Sequence, residues 1–183
     1  MEPRSRQLQS ITKGPTGAVG DDLRRLIQTF VRSIGLLSAD HTPCGQPIAV
    51  YHAHALMILL EAAREDNRLT QRELGQVLGI DKSNVARLCR RMESAGHVVQ
   101  SRSKDDGRAR LLSLTAAGKR LATNVERSSR DRFRRLTSAI PRESRAGILS
   151  SLACLNQALV SVDSPKKSRH TRRRSADDNG DPG

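Results

Sequence analysis

The stretch LTQRELGQVLGIDKSNVARLCRRMESAGHVV, residues 69–99, decides the fold. Thr70 and Glu73 have the spacing of a capping box, in which each side chain accepts a hydrogen bond from an otherwise unpaired backbone N–H. Gly79 ends that first helix, and Asp81 stands where the next helix needs an N-cap. The sequence therefore predicts two short helices joined by a tight turn, which is the helix-turn-helix arrangement.

A two-stranded hairpin is predicted directly after these helices. Gly96 ends the second helix, and the pattern then changes from helical to extended. Residues His97–Arg102 and Ala109–Leu114 are rich in Val and Leu and favour strands. The Asp106-Gly107 pair between them is a strong turn signal. We therefore expect a small β-hairpin wing.

Two helices are predicted before this block. Residues 1–20 lack periodicity and are expected to form a loose arm. An amphipathic helix is expected to begin with Asp21 as its N-cap, because apolar residues recur from there at three- and four-residue steps. Pro and Gly residues break the chain at 43–47, and a second helix is predicted over Ala49–Arg64.

Two further helices are predicted after the hairpin. Thr115 is placed to cap a long helix that runs to about Ser138. Pro141 is expected at the first position of a last helix. The apolar stripe of that helix consists of Ile148, Leu152, Leu155 and Leu159. Beyond Asp163 the chain is composed of Ser, Lys, Arg, Asp and Gly, and it is predicted to be disordered.

The charge of the chain restricts its partners. Lys and Arg number 32 against 19 Asp and Glu, which gives a formal net charge of +13. Such an excess indicates a polyanionic partner, either a nucleic acid or an anionic membrane surface. No uninterrupted apolar run approaches the roughly 18 residues of a spanning helix, and the N-terminus lacks a signal-peptide core. Three widely spaced cysteines favour a reducing compartment, so we expect a soluble cytoplasmic protein.

Residues 69–99, followed by SRSKDDGRARLLSLTAAGKRL at 101–121, resemble the multiple antibiotic resistance regulator (MarR) family. The Asp106-Gly107-Arg108 wing tip, then Leu114-Thr115 and Gly118, match that family's pattern in order and spacing. The resemblance implies a homodimeric repressor or activator on a pseudo-palindromic operator in double-stranded DNA. Members of the family are often released from DNA by a small ligand or by oxidation.

The resemblance also implies a fold class and a domain organisation. The fold is expected to be mainly α with a small β-hairpin wing, a winged helix-turn-helix flanked by N- and C-terminal dimerisation helices. The MarR-like domain is expected to span 21–162, with the winged helix-turn-helix at about 49–114. Dimerisation helices are expected at about 21–38 and 115–162, and residues 163–183 form the basic tail.

The second helix of the pair is predicted to read DNA in the major groove, because an α-helix fits that groove. Its inward side chains are expected to be Val85, Leu88 and Met92. We expect base-edge contacts from Ser83, Asn84 and Arg87, and phosphate contacts from Lys82, Arg90 and Arg91. The alternative is a solvated basic face on a surface helix.

The wing is predicted to contribute a second contact. Arg108 is placed to enter the minor groove, whose negative potential attracts arginine. Asp106 can orient Arg108 across the turn, although the pair can equally be an exposed ion pair of about 0–1 kcal/mol. Arg102, Lys104 and Arg110 add positive charge to the same hairpin.

No effector, metal or cofactor is assigned from the sequence. Cys44, His52 and His54 have suitable ligand chemistry, but side chains at i and i+2 diverge by about 200° on a helix. Redox sensing by Cys44, with His41 nearby, requires a lowered thiol pKa and exposure. Cys89 and Cys154 are interpreted as small packing residues.

The role of the basic tail and the class of the protein stay open. The basic tail either tethers the protein to DNA non-specifically or only solubilises it; its cations are Lys166, Lys167, Arg169, Arg172, Arg173 and Arg174. No glycine-rich phosphate loop or hydrolase motif supports an enzyme. The alternative to a sequence-specific regulator is an architectural or RNA-binding winged-helix protein.

Overall fold

In the computed structural model, residues 16–102 and 109–163 are described. The elements follow the chain as α1 (Thr16–Ile34), α2 (Val50–Arg64), α3 (Gln71–Leu78), α4 (Lys82–Ser94), β1 (Val98–Arg102), β2 (Arg110–Leu114), α5 (Ala116–Ala139) and α6 (Arg142–Asp163). The chain divides into two compact units, Met1–Leu136 and Thr137–Gly183. The predicted fold class, mainly α with one β-hairpin, is confirmed.

The core of the first unit lies around α2. Leu56 is fully buried at the centre of this helix, and Leu74 of α3 and Met92 of α4 are equally inaccessible. Val98 of β1 and Leu112 of β2 close the same cluster from the hairpin side. Burying an apolar side chain of this size stabilises a fold by about 1.5–3 kcal/mol. This cluster therefore holds the helix-turn-helix and the hairpin against α2.

The start of α5 is joined to the turn between α4 and β1. Thr115 caps α5, as predicted, because its Oγ1 accepts a hydrogen bond from Gly118 N at 3.0 Å. The same hydroxyl donates to Gly96 O at 2.6 Å, and Thr115 N donates to His97 O at 3.0 Å. A Cβ on Gly118 would lie only 1.9 Å from His97 O, so this crossing requires glycine.

The first helix begins earlier than the sequence indicated. Helix α1 starts at Thr16, so the arm predicted for 1–20 and the N-cap predicted at Asp21 are wrong for residues 16–21. Asp21 lies inside the helix, where no N-cap is needed, and its side chain pairs with Arg24 at 3.3 Å. The helix ends at Ile34, and Gly35 follows with φ of 83°.

The described part of the second unit is dominated by α6. The helix begins at Arg142, so Pro141 immediately precedes it instead of occupying its first position. Leu155 of the predicted stripe is half-buried and its other members are exposed; Cys154 is also exposed, so its predicted packing role is wrong for the single chain.

Helix α6 also has a membrane-like composition. Among the described helices, Arg142–Val162 alone is long and apolar enough to cross a membrane, with mean hydropathy 1.2 and none of that window buried. This helix has no long uninterrupted apolar run, because polar residues interrupt it at Ser150, Ser151, Asn156 and Gln157.

Candidate nucleic-acid interface

Helix α3 begins with the predicted capping box. Thr70 Oγ1 accepts from Glu73 N at 3.2 Å, and Glu73 Oε2 accepts from Thr70 N at 2.7 Å. The bond from the Thr70 backbone, followed by that from its hydroxyl, lowers the pKa of Glu73. Gly79 ends the helix in the left-handed region with φ of 64°, as predicted.

The two helices of the motif cross closely at a second glycine. A Cβ on Gly75 of α3 would lie 3.2 Å from Val85 Cγ1 of α4 and 3.3 Å from Ile80 O. A larger residue at this position would require Val85 or the turn at Ile80 to shift by a few tenths of an ångström. Gly75 therefore allows α3 and α4 to pack closely at this point.

Asp81 caps α4, as predicted. Its Oδ1 accepts from Ser83 N at 2.8 Å and from Asn84 N at 3.0 Å. These backbone bonds, that from Asn84 first, lower the pKa of Asp81, so the group stays ionised at the positive end of the helix dipole. The Asn84 side chain also donates from Nδ2 to Asp81 Oδ2 at 2.5 Å. The Asn84 side chain therefore already contributes one of its two N–H donors to the start of α4.

The two faces of α4 differ as the sequence predicted. Val85 and Met92 are buried, and Leu88 is half-buried against the core. Cys89 is also fully buried on this face, in agreement with a packing role. The side chains predicted to contact DNA are all exposed; they are Lys82, Ser83, Asn84, Arg87, Arg90 and Arg91.

The hairpin brings two more of the predicted cations together. Strands β1 and β2 are antiparallel, and Arg102 is the direct partner of Arg110 at the open end of the ladder. Like charges directly opposite each other destabilise a sheet, whereas an anion lying near both would relieve the repulsion. Lys104, Asp106 and Arg108 of the predicted tip lie outside the described residues.

A groove of about 1110 Å³ runs between the helix-turn-helix and the root of the hairpin. Its positively charged lining consists of Arg72 on α3, Lys82 on α4 and Arg110 on β2. The carboxylates of Glu73 and Asp81 also line it, but both already accept the capping hydrogen bonds. The groove therefore has three cations against two carboxylates that are engaged in helix caps.

Three contacts that join these elements were missed at the sequence level. The residue before α3 pairs with the hairpin, because Leu112 N donates to Leu69 O at 2.8 Å. Gln100 of β1 hydrogen-bonds both Glu93 of α4 and Gln71 of α3. These pairs are 7 to 43 residues apart in the chain, so no local spacing rule signals them.

A histidine pair behind the interface was also missed at the sequence level. His52 Nε2 and His97 Nδ1 lie 3.0 Å apart, and their rings meet edge to face. Burial, followed by the charge of His97, lowers the pKa of His52. His54, by contrast, is exposed, so the two histidines of α2 occupy different environments.

Cys44 is half-buried, and its Sγ contacts Thr42 Oγ1 at 3.1 Å. Within the described ranges, no three His, Cys, Asp or Glu side chains come close enough together to hold a metal ion. The arrangement around Cys44, His52 and His54 therefore provides no metal centre in the described part of the chain.

The exposed basic helix, its capped partner and the hairpin define a winged helix-turn-helix, the class of fold that docks on DNA. Residues 51–109 match the sequence profile of the MarR family. This match over residues 51–109 confirms the resemblance predicted from the sequence. A comparison with curated protein sequences gives no match.

Solved structures share the fold at low sequence identity. FabT of Streptococcus pneumoniae in complex with DNA is 18% identical, with a TM-score of 0.60, and covers 81% of this chain and 99% of its own. MepR of S. aureus, also in a DNA complex, is 20% identical with a TM-score of 0.60 over 75% and 96% of the chains. A MarR transcriptional regulator of Methanosarcina mazei is 20% identical with a TM-score of 0.53 over 79% and 97%.

Proposed function

We propose that the protein is a cytoplasmic, sequence-specific, double-stranded DNA-binding transcriptional regulator that acts as a homodimeric repressor. The observation that carries the proposal is the exposed polar face of α4 next to a hairpin in which Arg102 and Arg110 stand opposite each other. The helix supplies side chains of the kind that read base edges, and the hairpin supplies charge for the phosphate backbone. The DNA complexes of FabT and MepR, which share the fold, support this assignment.

Arg87 is the main candidate for base recognition. It is exposed near the middle of α4, and no hydrogen bond or ion pair to the described residues occupies its guanidinium. A bidentate contact from arginine to guanine contributes about 1–3 kcal/mol of discrimination. Ser83 lies one turn earlier on the same face, whereas one N–H of the Asn84 side chain already donates to Asp81.

Selection of bound sequences from a random duplex pool tests this proposal. A sequence-specific dimer enriches two half-sites with centres about 10 base pairs apart. Equal binding to enriched and random duplexes at fixed salt would instead indicate an architectural or RNA-binding protein.

Two arginine variants separate base reading from phosphate binding. Arg87→Ala should weaken binding and relax the preference at one base position, whereas Arg108→Ala should weaken binding to all sequences similarly. Arg24→Ala is the matched loss of charge, because Arg24 pairs with Asp21 on α1, outside the interface. Equal losses on enriched and random duplexes for Arg87→Ala would contradict the base-reading role.

Exposed apolar faces support a homodimer. Leu23, Leu26 and Phe30 of α1 are at least 43% exposed, and Leu149 and Leu152 of α6 are at least 48% exposed. Contiguous apolar patches of this kind mark sites that another surface covers. Sedimentation analysis should give twice the mass of the chain. Monomeric protein that floats with lipid vesicles would assign α6 to a membrane instead.

A small-molecule or redox signal is proposed to release the repressor from DNA. Cys44 and Cys154 are the candidate thiols for a redox signal because Cys44 is partly accessible and Cys154 is exposed, whereas Cys89 is fully buried. A thermal-shift screen with phenolic compounds, metal ions and peroxide identifies the class of signal. A ligand that stabilises the protein and also lowers operator affinity is the expected result. A screen in which no compound affects operator affinity would contradict release by these signals.

A further inference from the structure

We infer that Gln100 is a positioning residue that holds the hairpin against both helices of the motif for DNA binding. This inference rests on the proposed function. The side-chain amide of Gln100 lies between an acceptor on α4 and a donor on α3, so one residue of β1 links all three DNA-binding elements. Gln100 has no expected contact with DNA of its own.

Glu93 supplies the first half of the link. An acidic side chain in the last turn of a helix is unfavourable beside the negative end of the helix dipole, and it repels the DNA phosphates as well. Both oxygens of Glu93 are directed at Gln100: Oε2 accepts from Nε2 at 2.7 Å, and Oε1 accepts from the backbone N–H at 3.2 Å. Hydrogen bonds to a carboxylate are stronger than neutral ones, which gives this acidic residue a role in the recognition helix.

Gln71 supplies the second half. Its Nε2 donates to Gln100 Oε1, which leaves the amide of Gln100 with a donor bond at one end and an acceptor bond at the other. The amide therefore has one orientation. Gln71 is the first residue of α3 and lines the groove together with Arg110, so the link reaches the cations of the interface.

Strand β2 is attached to the residues before α3 by bonds that do not involve Gln100. The hairpin can therefore fold without the Gln100 link. Strand β2 is tied to the residues before α3 by Leu112 N and by the bridge between Thr70 and Leu111. Loss of the Gln100 contacts leaves those backbone bonds and the buried Val98 and Leu112 in place. We expect the hairpin to stay folded but to move relative to α4.

The test compares Gln100→Met with Val99→Thr. Methionine keeps the length of glutamine without its hydrogen bonds, and Val99 is an exposed neighbour on the opposite face of β1. The probe is the duplex that the wild-type protein enriches from a random pool. Gln100→Met should weaken binding roughly tenfold, equivalent to 1.4 kcal/mol. The slope of affinity against salt should become shallower by about 1, because one hairpin–phosphate contact is lost.

Two further readouts distinguish positioning from a purely structural role. The melting temperature of Gln100→Met should stay within about 4 °C of wild type. In a Glu93→Leu background, Gln100→Met should have a smaller effect on affinity than in wild type, because the hydrogen bond to α4 is already lost and only the one to Gln71 remains. Val99→Thr should behave like wild type in every assay.

Several outcomes would overturn the inference: wild-type affinity for Gln100→Met, or a weakened affinity with an unchanged salt slope and a large fall in melting temperature. If the wild-type protein enriches no duplex, the proposed function fails separately. Amide hydrogen exchange then still tests whether Gln100 holds the hairpin in place. Gln100→Met must lower the protection of the Val98–Arg102 amides against exchange, relative to Val99→Thr. Unchanged protection refutes the link.

Discussion

Replacement of Gly118 by alanine tests how tightly α5 is held against the turn after the recognition helix. The new Cβ would lie 1.9 Å from His97 O and 2.8 Å from His97 C, inside the 3.0 Å limit that Cβ contacts observe. Relief of this clash must move α5 away from His97, which stretches the Thr115 bonds to the same turn. Overpacking of this kind costs about 1–3 kcal/mol, and loss of a helix cap adds about 1 kcal/mol.

Alanine also has an advantage that reduces the net effect. In a helix it is favoured over glycine by about 1 kcal/mol. The free energy of unfolding of Gly118→Ala should therefore fall by about 1–3 kcal/mol, measured by urea denaturation. The matched control is Gly147→Ala on α6, where a Cβ meets nothing within 4 Å.

The control should be neutral or stabilised by up to about 1 kcal/mol. Changes of opposite sign in the free energy of unfolding for the two substitutions would separate the clash at Gly118 from the general preference of helices for alanine. If Gly118→Ala unfolds at the same urea concentration as wild type or a higher one, the close crossing with His97 is refuted. Operator binding by the folded fraction of Gly118→Ala should also weaken, because His97 precedes β1 directly.

Three other substitutions give independent checks of the local structure. Thr70→Ala should lower the free energy of unfolding by about 1 kcal/mol through loss of the α3 cap, and an unchanged urea midpoint would contradict that role. The folded-state pKa of His52 lies below its ordinary value, so its contribution to stability is present above about pH 6.5 and is lost as the pH falls. His52→Gln should therefore flatten the wild-type decline in urea midpoint on acidification, and an identical decline would contradict this. Burial raises the pKa of Cys89 to about 11, so a variant with Cys44→Ser and Cys154→Ser should react with thiol reagents at pH 8 only after unfolding, and rapid native labelling would refute the burial.

The helix-turn-helix could be predicted because its signals are local. The capping box joins Thr70 and Glu73, three positions apart, and Asp81 bonds residues two and three positions later. Such short patterns mark where a helix starts, and the glycines at 79 and 96 mark where α3 and α4 end. The strands were predicted within one residue at each end, because an apolar extended pattern surrounds a strong turn pair.

Contacts between distant residues could not be predicted in the same way. His52 and His97 are 45 residues apart, and nothing in their neighbourhoods distinguishes them from surface histidines. Gly118 was noted only as part of a family pattern; its physical reason, the crossing with His97 O, depends on tertiary packing. The start of α1 was missed because Asp21 resembles a cap, although an acidic residue inside a helix is equally stable with Arg24 one turn later.

The treatment of acidic residues explains how this motif presents a positive surface. Between Arg68 and Arg102 the chain has seven Lys and Arg residues and three acidic residues, namely Glu73, Asp81 and Glu93. Each of the three carboxylates accepts hydrogen bonds from within the motif, the first two at helix starts and the third from Gln100. A carboxylate held in this way is turned toward its own backbone or strand, and its negative potential is partly offset by the donors around it. The acidic residues of the motif therefore supply helix caps and a link to the hairpin, while Lys82, Arg87, Arg90, Arg91 and Arg102 remain exposed.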